Sequence, residues 1–594
     1  MFLSLAGIEE LSNNSFGGGL PNNLSRCSNL EYLYLDNNHL SGNIPTQLGS
    51  LPKLRELFLY VNKISGTIPP SIGNLSYLVK LSISRCNLHG EIPEGIAKLR
   101  LLKALDFEDN KLSGKIPSGI YNISTLTVFS LQINRLEGSI PPDIGSKLPN
   151  LIFLGLFENS FTGMIPNSLS NASGLAFINF GVNNFIGPMP KDLGKLLNLG
   201  MINFQFNRLQ DDLSFISSLT NCNRLRFLLA NDNLLKGTLP NSAANLSIDL
   251  SILYLGGNQL HGSIPSGIGN LLNLTILHLS ANYFSGHVPD TIGRVHKLNE
   301  LFLAINNFTK LPSSLGNLSA LNLLILGQNN IRGSIPLSLG NCQQLLGLDL
   351  SHNNLYGSIP LEIMNLSSIS VSFDLGYNSL TGSLPSEVGS LKNLANFDVS
   401  NNRLSGSIPN SLSGCLSLEV VHLEGNSFEG EIPQSLSKLR GLREMDLSRN
   451  NLTGLIPSYI GELALEKLNL SFNMLYGEVP TQGVFRNASA ISIVGMDNLC
   501  GGVADLNLPP CPFSMSKTNK LSYKKKIILY VVVALVISST LAVSFFMFRR
   551  RQRVSRKEDS SKASFEHQIL REIDIVGVPR VRLLQVLMLM LCLI

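Results

Sequence analysis

The chain has 594 residues, of which 44% are hydrophobic and 15% charged, with no Trp. That apolar content is enough for a core and excludes a disordered chain, and the 51 glycines fall nowhere near every third position, which excludes a collagen. The net charge of +5 is uneven: 15 Lys and Arg face 5 Asp and Glu from Lys517 onward, against 31 and 36 before it, so the basic end points to a membrane surface and the body to no nucleic acid.

The first residues, MFLSLAGIEELSNNSF, have no basic start, a short apolar stretch and acidic Glu9 and Glu10, a poor signal peptide. They enter a repeat partway, so the start is read as truncated. The repeat then fills residues 1–480. LEYLYLDNNHLSGNIP from Leu30 aligns with LRELFLYVNKISGTIP from Leu54 as LxxLxLxxNxLxGxIP, and the asparagine recurs from Asn14 and Asn38 to Asn473 in steps of 23 to 26 residues, with Cys86 standing in once. That makes 20 repeats. The Leu-x-Leu alternation predicts a strand with one face buried. The asparagine is placed to bond the backbone of neighbouring coils, Gly to open a turn, and Ile-Pro to begin an extended return. Leu48, Gly49 and Leu51 then cover the convex side. No coil buries its leucines alone, so the expected fold is an α/β solenoid of leucine-rich repeats with a parallel concave sheet.

The LxGxIPxxLGxL half resembles the plant-specific class of this repeat, found in receptor-like kinases, receptor-like proteins and cell-wall inhibitor proteins. After Asn207 the chain reads RLQDDLSFISSLTNCNRL, without Gly-x-Ile-Pro. This is similar to an anomalous repeat of the plant immune receptor kinases that include the rice bacterial-blight receptor and the receptor for bacterial elongation factor. Family members carry a Trp near the positions of Asp211 and Asp212, and this chain does not.

Residues 481–526 follow as a cap and juxtamembrane segment. The stretch DNLCGG…LPPC resembles the C-terminal cap of plant receptor ectodomains, a resemblance that implies a Cys500–Cys511 disulfide. Cys27, Cys222, Cys342 and Cys415 sit at matching repeat positions and read as buried core thiols. No CxxC or Cys/His cluster is spaced for a metal, and no cofactor is expected.

Ile527 to Phe548 is a run of 22 uncharged residues, long enough for one membrane-spanning helix. Lysines before it and arginines after it nearly balance, so the disulfide cap decides the orientation: repeats outside, residues 549–594 in the cytoplasm. Of 13 Asn-x-Ser/Thr sequons none follows the membrane segment, and Asn74, Asn122, Asn171, Asn245, Asn317 and Asn365 are read as glycan acceptors on the convex return. Asn469 projects from a strand and is a doubtful acceptor. The tail holds no glycine-rich loop, HRD or DFG, so this sequence carries no kinase motif. Its apolar end, Leu583 to Ile594, is read as an artefact of a shifted frame or an unspliced boundary.

No catalytic constellation is found, so the working surface is the concave sheet. Two runs there depart from an Asp/Asn/Ser background: Tyr32, Tyr34, Phe58 and Tyr60; and Phe153, Phe157, Phe177, Asn179, Asn203, Gln205, Phe206, Phe227 and Asn231. Aromatics beside amides offer contact area with few rotors and hydrogen bonds for a peptide backbone. The sequence is thus read as the ectodomain, anchor and short tail of a plasma-membrane receptor for a peptide or protein, used in defence. The resemblance implies a co-receptor kinase docking near the C-terminal coils. The alternatives are a developmental hormone receptor and an inhibitor of wall-degrading enzymes.

Overall fold

The computed structural model describes residues 8–511. The expected membrane segment and the basic tail lie outside the described residues, within which no helix is long and apolar enough to cross a membrane.

Each Leu-x-Leu folds as a three-residue strand, such as Tyr32–Tyr34 and Glu56–Phe58. These pair in parallel with Tyr32 opposite Glu56, Leu33 opposite Leu57 and Tyr34 opposite Phe58. The pattern repeats in chain order through a 21-stranded sheet, whose last strand, Ile491–Ser492, comes from the cap. Leu33, Leu35, Leu40, Ile44, Leu48 and Leu51 of one coil are all buried, and the same positions of every coil merge into one continuous core. A buried leucine contributes about 2 kcal/mol, but only once neighbouring coils cover it.

The repeat asparagine ties coil to coil. Asn282 Oδ1 accepts the Leu260 N–H of the preceding coil at 2.9 Å, while its Nδ2 donates to Leu255 O of that coil at 3.0 Å and to Leu279 O of its own at 3.1 Å. Asn62, Asn110 and Asn473 repeat this geometry. Cys86 substitutes weakly, its Sγ donating to Leu59 O at 3.5 Å.

Three features differ from the expectation. First, the glycine expected in an open turn lies within a second strand: Gly42, at φ 73°, sits inside His39–Asn43. Such strands form parallel lateral sheets of nine, four and eight strands. One break falls at the anomalous repeat, between Arg208–Leu209 and Lys236–Thr238, where the helix Ser214–Leu219 intervenes and Asp211 Oδ2 accepts the Met189 N–H at 3.1 Å. The other falls after Asn307–Lys310, where the repeat lacks its glycine. Second, the convex return is mostly 3₁₀ rather than α. Pro45 is extended (φ −66°, ψ 136°) and only Thr46–Ser50 remains for a helical turn. The tighter helix covers more distance per residue. Gly49 there lets adjacent coils close up, since a Cβ would meet Ser71 O at 2.1 Å.

Third, the residue before the repeat asparagine is left-handed in coil after coil. Asn37 and Asn401 tolerate this, whereas Val61, Ile133, Val182 and Ile305 hold φ of 52–55° despite their branched Cβ.

At the C-terminus Cys500 and Cys511 are bonded, and Leu499–Gly501 pairs onto Met474–Val479 to close the array. Cys27, Cys222, Cys342 and Cys415 are buried, and burial pushes the Cys222 and Cys342 thiols up to about 11. Asn74, Asn122, Asn171, Asn245, Asn317 and Asn365 are exposed at the ends of convex turns.

Two opposite stability changes follow. Asn282→Ala strands the Leu260 N–H, while Leu255 O and Leu279 O keep their bonds from Asn258 and Asn306, and is expected to cost about 2 kcal/mol. Val182→Asn relieves the left-handed strain and is expected to gain about 1 kcal/mol. Urea unfolding of each variant beside wild type checks both signs.

Candidate functional site

Three residues of each coil face the concavity. In the coil that begins at Leu30 they are Tyr32, Tyr34 and Asp36, and the left-handed Asn37 forms the rim. Stacked along the sheet these make a first, second and third file, and the site is the sequence of side chains down each file.

The N-terminal run forms a packed stack. Tyr34 and Phe58 stack at 4.9 Å between centroids, with Tyr32 6.3 Å from Tyr34 and Tyr60 6.1 Å from Phe58. The Tyr34 hydroxyl donates to Glu56 Oε2 at 2.8 Å, and Lys80 pairs with Glu56 at 3.2 Å. Burial and the Glu56 carboxylate push the Tyr34 phenol up.

In the second run Phe153, Phe177 and Phe227 share the first file, with Phe153 and Phe177 6.2 Å apart and the Arg226 guanidinium 5.8 Å from the Phe227 ring. Asn179 and Asn203 are adjacent in the second file, and Gln205 and Asn231 belong to the third. Gly155 leaves a gap through which Asn179 Nδ2 reaches the Gln132 amide two coils away, and Gln132 in turn donates to Glu108 at 2.9 Å. Asn179 Oδ1, Asn203 Nδ2 and Asn231 Oδ1 are buried without a partner. Two residues depart from the strip. Phe157, a third-file residue, is 6% exposed, because side chains on the inside of a curve cover one another. Phe206 lies outside the strands on the rim at φ 50°, half in solvent.

The strip continues beyond the residues singled out from sequence. Down the second file, Tyr254, His278 and Phe302 form a ring ladder with 5.2 Å between successive centroids. Burial pulls the His278 imidazole down to about 4, so it is neutral, and its Nδ1 has no partner. Ile325 follows, and then the file turns acidic with Asp349, Asp374 and Asp398. His422 follows, 3.5 Å from Asp398 Oδ2 and 3.6 Å from Glu444 Oε1, and Asp446 comes next in the file. Each of these residues stands alone within its own repeat, which is why only reading down the file reveals them.

The C-terminal coils carry another apolar surface. Leu455, Phe472, Met474, Tyr476 and Val494 are each at least half exposed, Leu455 sits opposite Tyr476 in the lateral sheet, and Arg449 lies 5.5 Å from the Phe472 ring.

Leucine-rich-repeat family profiles match residues 29–51, 53–75, 77–99, 101–123, 249–271, 273–295, 344–366, 393–415 and 417–475. The fold is similar to the crystal structure of the Arabidopsis receptor kinase HAESA in complex with the peptide hormone IDA and the co-receptor SERK1, with a TM-score of 0.76 and 33% identity over 83% of this chain and 82% of that one. The chain belongs to the plant leucine-rich-repeat receptor kinases, by its ectodomain. The plant peptide hormone receptor RGFR1 in complex with RGF2 is similar at a TM-score of 0.69 and 29% identity, over 84% of this chain and 91% of that one. In sequence, the receptor kinase-like protein Xa21 of Oryza sativa subsp. japonica is 54% identical over 65 residues, 11% of this chain and 6% of that protein. The receptor-like serine/threonine-protein kinase EFR of Arabidopsis thaliana is 45% identical over 67 residues, again 11% and 6%. These matches span well under a tenth of either curated relative.

The acidic row makes this receptor-kinase ectodomain sensitive to pH. Burial, then the neighbouring Asp398, pushes the Asp374 carboxyl up to about 7 from 3.8, so its contribution to stability is full below 3.8 and lost as pH rises through 7. Asp398 raises His422 to about 9 from 6.5, a contribution present below 6.5 and lost as pH rises through 9. Both signs agree. His278, held down at about 4 from 6.5, opposes them as pH rises from 4 to 6.5. Above that the melting temperature is expected to fall, from about pH 6.5 to about pH 9, with Asp374→Asn flattening the lower part of that slope and His422→Gln the upper part; a melting temperature that rises over this range contradicts the assignment.

Proposed function

We propose that this chain is the ligand-binding part of a plasma-membrane receptor that captures a linear peptide along its concave face, with the repeats outside the cell. The observation that carries the reading is the concave strip itself: Phe153, Phe177 and Phe227 beside Asn179, Asn203 and Asn231, whose buried amide atoms lack partners. An extended peptide supplies both complements, side chains for the rings and alternating N–H and C=O for the amides. The peptide complexes of HAESA and RGFR1, on the same kind of coil, support this use of the fold. The exposed sequons at Asn74, Asn122, Asn171, Asn245, Asn317 and Asn365 would place glycans on the convex side and leave the strip clear.

Anchoring falls to Ile527–Phe548, and phosphoryl transfer to a kinase encoded by the complete gene or brought by a partner. The partner surface in this reading is the apolar patch of Leu455, Phe472, Met474, Tyr476 and Val494, which suits a co-receptor that closes over the bound peptide. Defence is the proposed setting, from the anomalous repeat at Asp211 and Asp212. A developmental hormone receptor is the second reading, favoured by the hormone complexes among the similar structures.

Phe177→Ala combined with Phe227→Ala is expected to weaken a peptide ligand at least tenfold in isothermal titration, while Tyr77→Ala on the convex side leaves affinity unchanged. Equal affinity in both variants would sink the concave reading.

A further inference from the structure

The concave strip carries enough chemistry to say what kind of peptide fits it. At its N-terminal end Asn203 is fully buried and Asn231 is 6% exposed. Asn203 Oδ1 accepts the Gln205 N–H at 3.1 Å and Asn231 Nδ2 donates to Asp232 Oδ2 at 2.7 Å, which leaves Asn203 Nδ2 and Asn231 Oδ1 without partners. Leaving them unmet costs roughly 1–3 kcal/mol each.

The middle is an apolar trough. Leu229, Tyr254, His278, Phe302 and Ile325 line the second file. Ile252, Ile276 and Leu323 flank it in the first, with the one carboxylate, Glu300, between Ile276 and Leu323 and its pKa raised by burial, and Gly256, Ala304 and Gly327 keep the third file low. With His278 neutral, this stretch favours apolar or aromatic side chains.

The C-terminal end is anionic, and the counter-charge it holds, His422, sits on Asp398 rather than on Asp349 or Asp374. Asp349 Oδ1 accepts the Ser351 N–H and hydroxyl at 2.9 and 2.7 Å, and Asp374 Oδ1 accepts the Gly376 N–H at 2.9 Å. Among the described residues no lysine or arginine pairs with either carboxylate. The base on this row is His422, committed to Asp398 and Glu444. Asp374 and Asp398 converge over Gly376: a Cβ there would lie 3.3 Å from Asp374 Oδ1 and 2.9 Å from Asp398 Oδ1. Two carboxylates that converge in a partly dry site repel each other, and a cation between them relieves both the repulsion and the cost of burial. Burial, then Asp398, raise the Asp374 carboxyl, and His422 offsets them only in part.

We propose that the groove from Asn203 to Asp398 selects a linear peptide with an apolar centre and a cationic nitrogen, the nitrogen seated among the Asp349, Asp374 and Asp398 carboxylates. This rests on the peptide-receptor reading above and adds the chemistry of the ligand. Strands about 4.8 Å apart put Asp349 roughly 10 Å and Asp374 roughly 15 Å beyond Phe302, so the cation falls three to five extended residues from the apolar anchor. A phosphorylated or sulfated group at that end is repelled.

The test pans a random decapeptide library on the immobilised full chain, in parallel with the Asp349→Asn, Asp374→Asn double variant. Asparagine keeps the oxygen that accepts the Ser351 and Gly376 bonds, and a melting temperature at about pH 8 no lower than that of wild type verifies the fold. Wild type is expected to enrich peptides with a Lys, Arg or free N-terminus three to five residues from an apolar pair. The double variant should bind those peptides at least tenfold more weakly while losing less than twofold on their norleucine analogues. N-acetylation and Lys→norleucine exchange, made separately on an enriched peptide, tell a terminal amine from a side chain. Enrichment of neutral or acidic peptides, or equal affinity for both proteins, overturns the proposal and leaves the receptor reading standing. No sequence-selective binding by either protein overturns the receptor reading, and this proposal with it.

Discussion

The asparagine amide that bridges consecutive coils is the constraint on which the rest depends. A solenoid coil turns its backbone inward at the end of each short strand, and the carbonyls there have neither a helix nor a hairpin to supply donors. One side chain serves both coils, accepting an N–H from the coil before and donating to carbonyls on either side. The ladder fixes the spacing of the strands and therefore the direction in which every concave side chain points. The step at Cys86 shows how narrow the requirement is, since a thiol reaches only the Leu59 and Ser84 carbonyls, at 3.5 Å.

The same ladder has a cost beside it. The residue before the ladder position is held in the left-handed region, at Val61 and Ile305 and equally at Arg85, where Cys86 replaces the asparagine. Stability elsewhere absorbs this strain, because the leucines of each coil are covered by the next. Every coil therefore has a rigid set of core positions and a free set on the concave files. The rows of aromatics, amides and carboxylates are independent choices laid on an invariant frame, and specificity resides in their order.

The repeating frame was legible because it recurs. Leucines, asparagines and the Ile-Pro return announce the sheet and the core, and the paired cysteines announce the cap. The lateral sheets were not, because Gly42 and its counterparts look like turn residues until their positive φ is seen inside a strand. Nor was the 3₁₀ return, which depends on how close Gly49 lets the next coil approach. On the concave face the amide run was visible as a local departure from Asp and Ser. The ladder of Tyr254, His278 and Phe302 was not, since each ring is solitary within its repeat and becomes a feature only in register with its neighbours. Phe157 and Phe206 show the opposite failure: correct residue type, but one is covered by the curvature of the sheet and the other is placed on the rim.

Which face works is the central claim, and photo-crosslinking tests it most directly. A bound peptide carrying benzoylphenylalanine at each position in turn would be irradiated on the full chain and its adducts located by mass spectrometry. Adducts on the concave files between Phe153 and Asp398 are the predicted result. Adducts confined to the convex 3₁₀ turns or to the lateral sheets would contradict the account.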